Sequence, residues 1–124
     1  MPQYGVVVGF DLTVPDADRV RDFYADVLGW RAEPLDMGGY ADYVMVTADG
    51  TPVAGVCHAR GANADLPPQW LTYLRVVDLD ASIDRVRALG GAVVAGPKGD
   101  PPGPRYVVVR DPAGAHVALL QSEA

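Results

Sequence analysis

Four polar residues interrupt apolar segments of this sequence, and their side chains are suited to moving a proton or holding a charge. Asp11 lies in GFDLTV, Tyr73 and Arg75 lie in LTYLRV, and His116 begins HVALLQ. Asp11 is a candidate general base or hydrogen-bond anchor, because burial would raise its pKa. His116 is a candidate acid or base, since an ordinary imidazole has a pKa of about 6.5. Arg75 is suited to binding a carboxylate or stacking on an aromatic ring, and Tyr73 to steadying an oxyanion.

Each of these residues also has a purely structural interpretation. Asp11 and Arg75 could form an ion pair, or Arg75 could contact a dimer partner. His116 could be an exposed histidine just after a turn. His58 follows Cys57, and this pair could equally be structural. A shifted metal site of Asp11, His58 and His116 is a further alternative, because zinc accepts these residue types.

A strand followed by a helix is predicted from Gly9 to Trp30. Every second residue from Phe10 to Val14 is apolar, which is typical of a strand with one buried face. Asp16 or Asp18 can cap a helix, because a short side-chain oxygen accepts from the free amides of the first turn. Gly29 can end it, since glycine tolerates a left-handed backbone. The predicted apolar face of this helix consists of Val20, Phe23, Tyr24, Val27 and Leu28.

The same pattern returns about half a chain later. Leu12, Val14, Asp16 and Asp18 recur at a shift of 62 residues, and Leu28-Gly29 recurs at a shift of 61. A repeat of this length implies two similar halves. Each half continues into a β-hairpin, so the sequence predicts an α+β fold of two tandem βαβββ modules, at about residues 4–60 and 70–122 of one domain. Gly96–Pro104 is expected to be an irregular loop, because it is rich in Pro and Gly.

Composition argues against several classes of protein. The formal net charge of −6 does not suit nucleic acid, which needs a basic surface. No apolar segment approaches the ~20 residues that span a membrane, and the N-terminus does not resemble a signal peptide. Cys57 is the single cysteine, so neither an internal disulfide nor a cysteine-based zinc site is expected. A cytoplasmic protein is the simplest expectation.

The doubled plan resembles the vicinal oxygen chelate superfamily, which includes glyoxalase I, extradiol dioxygenases and bleomycin-resistance proteins. The resemblance lies in VPDADRVRDFYADVLGW, WLTYLRVVDLDASIDRVRALGG and DPAGAHVALLQ, the last similar to the family's DPxGxxxEL ending. Enzymes of this family usually bind a divalent metal through His and Glu on strands that face an open trough between the modules. The matching positions here are Gly9, Leu71 and Ala118, which have no side-chain donor, and a fourth position falls near Val53–His58. We therefore expect no metal and no other cofactor.

The resemblance, combined with strand alternation, predicts which residues line the trough. Small or apolar residues at the metal positions would leave room for a bulky guest, and aromatic walls suit a planar organic ligand. Asp11 and His116 are the candidate catalytic residues if the protein is an enzyme. The predicted ligand-binding residues are Asp11, Thr13, His58, Trp70, Leu71, Tyr73, Arg75, Tyr106, His116 and Ala118.

Three functions follow from this resemblance. The first is binding of a small aromatic or amphipathic molecule, as bleomycin-resistance relatives sequester an antibiotic. The second is a metal-free lyase, isomerase or cyclase that acts on a small natural product, with Asp11 or His116 moving a proton. The third is a metal enzyme with relocated ligands. An open trough on a short chain exposes apolar surface, so a homodimer is also expected, with the trough formed within one chain or between two.

Overall fold

A computed structural model describes residues 3–122 of the chain. Its contacts divide the chain into two compact units: an N-terminal unit, Phe10–Trp70, and a C-terminal unit, Met1–Gly9 with Leu71–Ala124. The elements follow the order βαβββ twice, which confirms the predicted α+β class and the doubled plan. The first set is β1 Val7–Val14, α1 Ala17–Leu28, β2 Arg31–Asp36, β3 Ala41–Val46 and β4 Pro52–His58. The second set is β5 Trp70–Arg75, α2 Leu79–Ala88, β6 Ala92–Lys98, β7 Arg105–Arg110 and β8 His116–Gln121, and a 3-10 turn at Gly61–Asn63 precedes it.

In the N-terminal unit the strands lie in the order β2-β3-β4-β1, with β1 parallel to β4 and the other neighbours antiparallel. Helix α1 begins after Asp16, whose Oδ1 accepts from the amide of Arg19 at 3.4 Å. It ends at Gly29, which has a φ of 70° and so adopts the left-handed backbone that glycine favours. The helix covers one face of the sheet, where the buried core consists of Leu12, Val14, Ala17, Tyr43, Met45 and Val56.

The apolar face predicted for α1 is only partly correct. Val20 and Tyr24 pack against the core, whereas Phe23, Val27 and Leu28 are 57%, 60% and 51% exposed. The predicted apolar face is thus wider than the contact with the sheet, because only the narrow stripe through residues 17, 20 and 24 packs against the core. The helical spacing of apolar residues identified the helix but not the width of its contact with the sheet.

The C-terminal unit repeats the arrangement with the strand order β5-β8-β7-β6, in which β5 and β8 are parallel. Asp78 caps α2 by accepting from the amide of Ala81 at 3.1 Å. The core under α2 is formed by Leu79, Ile83, Val107 and Val109. Strand β6 runs to Lys98, so the first residues of the predicted Gly96–Pro104 loop belong to a strand.

Helices α1 and α2 have 12 and 10 residues. Within residues 3–122, no helix is both long and apolar enough to cross a membrane. Each helix covers one face of its unit's sheet, and we call this the helix face. The opposite face of each sheet is called the helix-free face, and it carries most of the residues that the sequence singles out.

Candidate functional site

The helix-free face of the N-terminal unit carries a cluster of polar groups. Because β1 and β4 are parallel, Asp11 lies opposite Gly55 and Thr13 lies opposite Cys57. The intervening residues of these strands pack against α1, so strand alternation turns these four residues, together with Asp42 of β3, to the other face. Thr13 and Asp42 are buried, with exposed fractions of 3% and 6%. Asp11 and Cys57 are half-buried.

Gly55 gives the Asp11 carboxylate room to approach the backbone of β4. Its amide donates a hydrogen bond to Asp11. A Cβ atom on residue 55 would overlap Oδ1 of Asp11 and would lie 3.2 Å from its Cγ. A glycine at this position is therefore required for the observed place of the carboxylate.

The electrostatics of this cluster favour the neutral forms of Asp11 and Cys57. Burial raises the pKa of Asp11, the nearby negative charge of Asp42 raises this pKa further, and the hydrogen bond from the Gly55 amide opposes the rise. Burial, with help from Asp11 and Asp42, raises the pKa of the Cys57 thiol to about 12. Among the described residues of the N-terminal unit, no Lys or Arg forms an ion pair with Asp11 or Asp42. The cluster can therefore hold a proton and can donate or accept hydrogen bonds.

The raised pKa of Asp11 makes stability depend on pH. A carboxyl group with a raised pKa binds its proton more tightly in the folded state, so its contribution is fully present below the ordinary value of 3.8 and is lost as pH rises through the folded value. We expect Asp11→Asn to stabilise the protein relative to the wild type, by an amount that grows from about pH 4 upwards. Urea unfolding at several pH values measures this, and Asp26→Asn, an exposed change on α1, controls for the lost charge. A pH-independent difference for Asp11→Asn would contradict the assignment.

The raised pKa of Cys57 predicts an unreactive thiol. The thiolate is the reactive species, and a thiol with a pKa of about 12 forms very little of it at pH 8. We expect the native protein to react with a disulfide reagent at least about 100-fold more slowly than the same protein in guanidinium chloride, where the ordinary pKa returns. Equal rates in the two solvents would show that Cys57 is accessible and ionises normally.

His58 lies apart from this cluster, on the helix face. Its Nε2 is 3.6 Å from Oδ1 of Asp18 in α1, and its ring lies 5.4 Å from the ring of Tyr40. Its Nδ1 is 3.5 Å from Oδ1 of Asp42 but is not aligned for a hydrogen bond, so this buried nitrogen has no hydrogen-bond partner among the described residues. Asp11 and His58 thus point to opposite sides of one sheet. A ligand that contacts His58 would therefore have to lie on the helix face.

Trp70 also packs on the side of α1. Its Nε1 donates to the hydroxyl of Tyr24 at 2.9 Å, and its ring lies 5.2 Å from the ring of Tyr24 and 6.3 Å from that of Trp30. These contacts give Trp70 a packing role in the N-terminal unit. Its predicted contact with a ligand stays a prediction.

The other six predicted residues come together on the helix-free face of the C-terminal unit. Tyr73 lies opposite Ala118 on β8, and its ring meets the ring of Tyr106 edge to face at 5.9 Å. Leu71 and Ala118 are buried, with exposed fractions of 1% and 0%. The Nε of Arg75 is buried and makes no hydrogen bond among the described residues. The set consists of Leu71, Tyr73, Arg75, Tyr106, His116 and Ala118.

The predicted site therefore divides into two sets, one in each unit. The ion pair between Asp11 and Arg75 that the sequence suggested would link the two units, and it stays a prediction. The trough between the modules also stays a prediction. Sequence reasoning missed Asp42 and Gly55 on the N-terminal set. The available signal for Asp42 was the same as for Asp11, namely a lone carboxylate inside an apolar strand segment, YADYVMV.

The alternative metal site would combine Asp11, His58 and His116. Within the N-terminal unit, Asp11 and His58 point to opposite sides of the sheet. Within residues 3–122, no three His, Cys, Asp or Glu side chains are grouped so that they could hold a metal ion. The relocated-ligand hypothesis therefore receives no support from the arrangement of these residues.

The sequence profile of the Glyoxalase/Bleomycin resistance protein/Dioxygenase superfamily matches residues 6–119. The chain therefore belongs to this superfamily, as the repeat and the DPAGAHVALLQ ending led us to expect.

Individual relatives were found among both known sequences and solved structures. "Putative glyoxylase CFP32" of Mycobacterium tuberculosis is 34% identical over 114 residues, which cover 90% of this chain and 44% of that protein. "Anthracycline biosynthesis protein DnrV" of Streptomyces peucetius is 32% identical over 127 residues, which cover 93% of this chain and 46% of that protein. The chain thus spans less than half the length of these relatives.

Among solved structures, methylmalonyl-CoA epimerase from Mycobacterium tuberculosis superposes with a TM-score of 0.53 and 20% identity, covering 100% of this chain and 94% of that one. The Streptomyces coelicolor methylmalonyl-CoA epimerase in complex with 2-nitronate-propionyl-CoA has a TM-score of 0.52 and 18% identity, covering 98% and 100% of the two chains. At this level of identity, the similarity establishes the fold alone.

Proposed function

We propose that this protein binds a small planar aromatic or amphipathic molecule on the helix-free face of the N-terminal unit, with Asp11 as the polar anchor. The observation that carries the proposal is the cluster of Asp11, Asp42 and Cys57. Ligand sites are mostly apolar with a few well-placed polar groups, and groups with raised pKa values concentrate in them. Asp11 fits this description, because its pKa is raised by burial and by a neighbouring carboxylate rather than lowered by a cation.

Aromatic and small side chains support an aromatic ligand. Tyr73 and Tyr106 form an edge-to-face pair on the helix-free face of the C-terminal unit, beside the buried apolar residues Leu71 and Ala118. Aromatic surfaces favour flat aromatic partners. The name of the relative DnrV places that protein in anthracycline biosynthesis, and anthracyclines are planar aromatic molecules. The family also includes proteins of bleomycin resistance, so sequestration of an antibiotic is the biological role we favour.

The proposal includes binding without a metal. The family's usual ligand positions correspond to Gly9, Leu71 and Ala118, and none of these side chains has an oxygen, nitrogen or sulfur donor. Leu71 and Ala118 are in addition packed into buried surroundings. The donor set at these positions does not fit a divalent cation.

A second candidate function is metal-free proton transfer, as in a lyase, an isomerase or a cyclase acting on a small natural product. One observation favours it specifically: the raised pKa of Asp11, next to a second carboxylate, is suited to a general acid or base. Asp11 would take up or release the proton. Tyr73 and Arg75, in the C-terminal unit, stay sequence-based candidates for steadying a developing negative charge. His116 stays an alternative proton carrier.

One experiment separates these functions. The protein is incubated with an anthracycline, an anthraquinone and a flavonoid, its thermal stabilisation is recorded, and the recovered compounds are analysed by mass spectrometry. A binder returns every compound intact, and Asp11→Ala weakens binding by about tenfold, whereas the exposed change Asp26→Ala does not. An enzyme returns a changed compound, and Asp11→Asn abolishes turnover while binding persists. The absence of stabilisation by any compound, or full binding and turnover in both Asp11 variants, would refute the assignment of Asp11.

We also propose a homodimer and a cytoplasmic location. Apolar residues exposed on α1 support self-association, because a monomer would present Phe23, Val27 and Leu28 to water. The lone Cys57, without a disulfide partner, supports a reducing compartment. Light scattering of the purified protein measures its molar mass in solution. A mass equal to that of one chain would contradict the proposed homodimer.

A further inference from the structure

The C-terminal unit has an open cavity of about 660 Å³ on its helix face, beside α2. Its volume is within the range of roughly 300–1,000 Å³ that small-molecule sites occupy. The walls come from the sheet, from the side of α2 and from the turn before β8, and Tyr4 and Gly5 also line the cavity. The apolar lining includes Val76, Val86, Leu89, Val109, Val117 and Leu119. This cavity is distinct from the helix-free face on which the proposed function rests.

The internal repeat explains why the space beside α2 is not filled. In the N-terminal unit, Tyr24 and Trp30 stack at 6.0 Å between α1 and the sheet, and Trp70 packs against both. At the shifts of the repeat, Tyr24 corresponds to Val86 and Trp30 corresponds to Gly91. Aromatic rings thus fill one half of the protein where the other half carries a valine and a glycine. The missing volume is that of aromatic rings, so an aromatic ligand matches it.

Several polar groups at the rim of the cavity already have hydrogen-bond partners within the protein. Asp78 is engaged in capping α2, and Asp111 accepts from the amides of Ala113 and Ala115 at 2.8 and 3.0 Å. Ser82 donates its hydroxyl to the carbonyl of Asp78. These groups are satisfied by the protein itself.

One cation at this rim makes no ion pair within the part of the chain that the structure describes. Arg85 lines the cavity from the same stripe of α2 as Ser82 and Leu89, and it forms no ion pair among the described residues. Arg75 and Arg110 also border the cavity, but strand alternation directs their side chains to the helix-free face. We propose that this cavity binds a small aromatic carboxylate, with its rings between α2 and the sheet and its carboxylate at Arg85.

The test uses 2-naphthoate and its neutral analogue 2-naphthalenemethanol as probes, with affinity measured by calorimetry. The wild type should bind both probes saturably. Arg85→Gln should weaken binding of 2-naphthoate by about threefold to fivefold and leave binding of the neutral probe unchanged, because an exposed cation contributes modestly to attraction. Arg87→Gln is the matched control, since Arg87 is exposed on the same helix and does not line the cavity. It should bind both probes like the wild type.

Val86→Tyr tests the location of the site, because it restores the aromatic residue that the repeat has at Tyr24. We expect it to abolish binding of both probes, and NMR shifts in the methyl groups of Val117 and Leu119 should mark the site in the wild type. If Val86→Tyr fails to fold, Arg85→Gln and the methyl shifts still decide. The proposal is overturned if neither probe binds saturably, if Arg85→Gln and Arg87→Gln bind 2-naphthoate equally, or if the methyl shifts lie elsewhere.

Discussion

Replacing Gly55 by alanine should destabilise the protein by about 1–3 kcal/mol and displace the Asp11 side chain. The new Cβ would overlap Oδ1 of Asp11 and lie 3.2 Å from its Cγ, so either the carboxylate or the backbone of β4 has to move. The same change should weaken the binding of any ligand that Asp11 anchors. Urea unfolding measures the loss of free energy.

Two comparisons isolate the cause of this loss. Gly9→Ala is the matched control, because a Cβ at Gly9 would meet no atom within 4 Å, and we expect no loss of stability there. In the background of Asp11→Ala, the cost of Gly55→Ala should fall by at least about 0.5 kcal/mol, since the clashing carboxylate is gone. Equal costs in the two backgrounds would show that Gly55 does not act through Asp11.

Replacing Met45 by alanine should lower the free energy of unfolding by about 2–5 kcal/mol. Met45 lies on β3 with an exposed fraction of 0%, and it belongs to the core between α1 and the N-terminal sheet. Its loss removes buried apolar contacts and leaves a cavity that a well-packed core fills only in part.

Met37 provides the matched control for this change. It is 41% exposed, so Met37→Ala removes the same atoms from the surface and should alter the free energy of unfolding by no more than about 0.5 kcal/mol. Denaturant unfolding of both variants gives the comparison. A cost for Met45→Ala as small as that for Met37→Ala would mean that the N-terminal core is packed differently from the structure.

The fold was predictable from the sequence because its signals are local. Asp16 caps α1 and Gly29 ends it, as short side chains and glycine do at helix ends in general. The repeat then transfers the same plan to the second half. Phe23 shows the limit, since it lies on the apolar face predicted from helical spacing and yet is 57% exposed.

The candidate site was predictable only in part, because much of it depends on strand pairing. Alternation along β1 correctly places Asp11 and Thr13 opposite the residues that pack on α1, and the expected rise in the pKa of Asp11 is present. The partners Asp42 and Gly55 come from other strands, whose register no local pattern specifies. His58 likewise turned to the helix face because of its pairing with Val14, which the sequence alone does not reveal.

The most direct test of the proposed function is to map a bound ligand by NMR. Amide shifts would be recorded during titration with the planar aromatic compound that stabilises the protein most. We predict that the shifts concentrate at Asp11, Thr13, Gly55 and Cys57 on the helix-free face, and that Asp11→Ala weakens the titration. Shifts confined to the cavity beside α2, or no shifts with any compound, would contradict the proposed function.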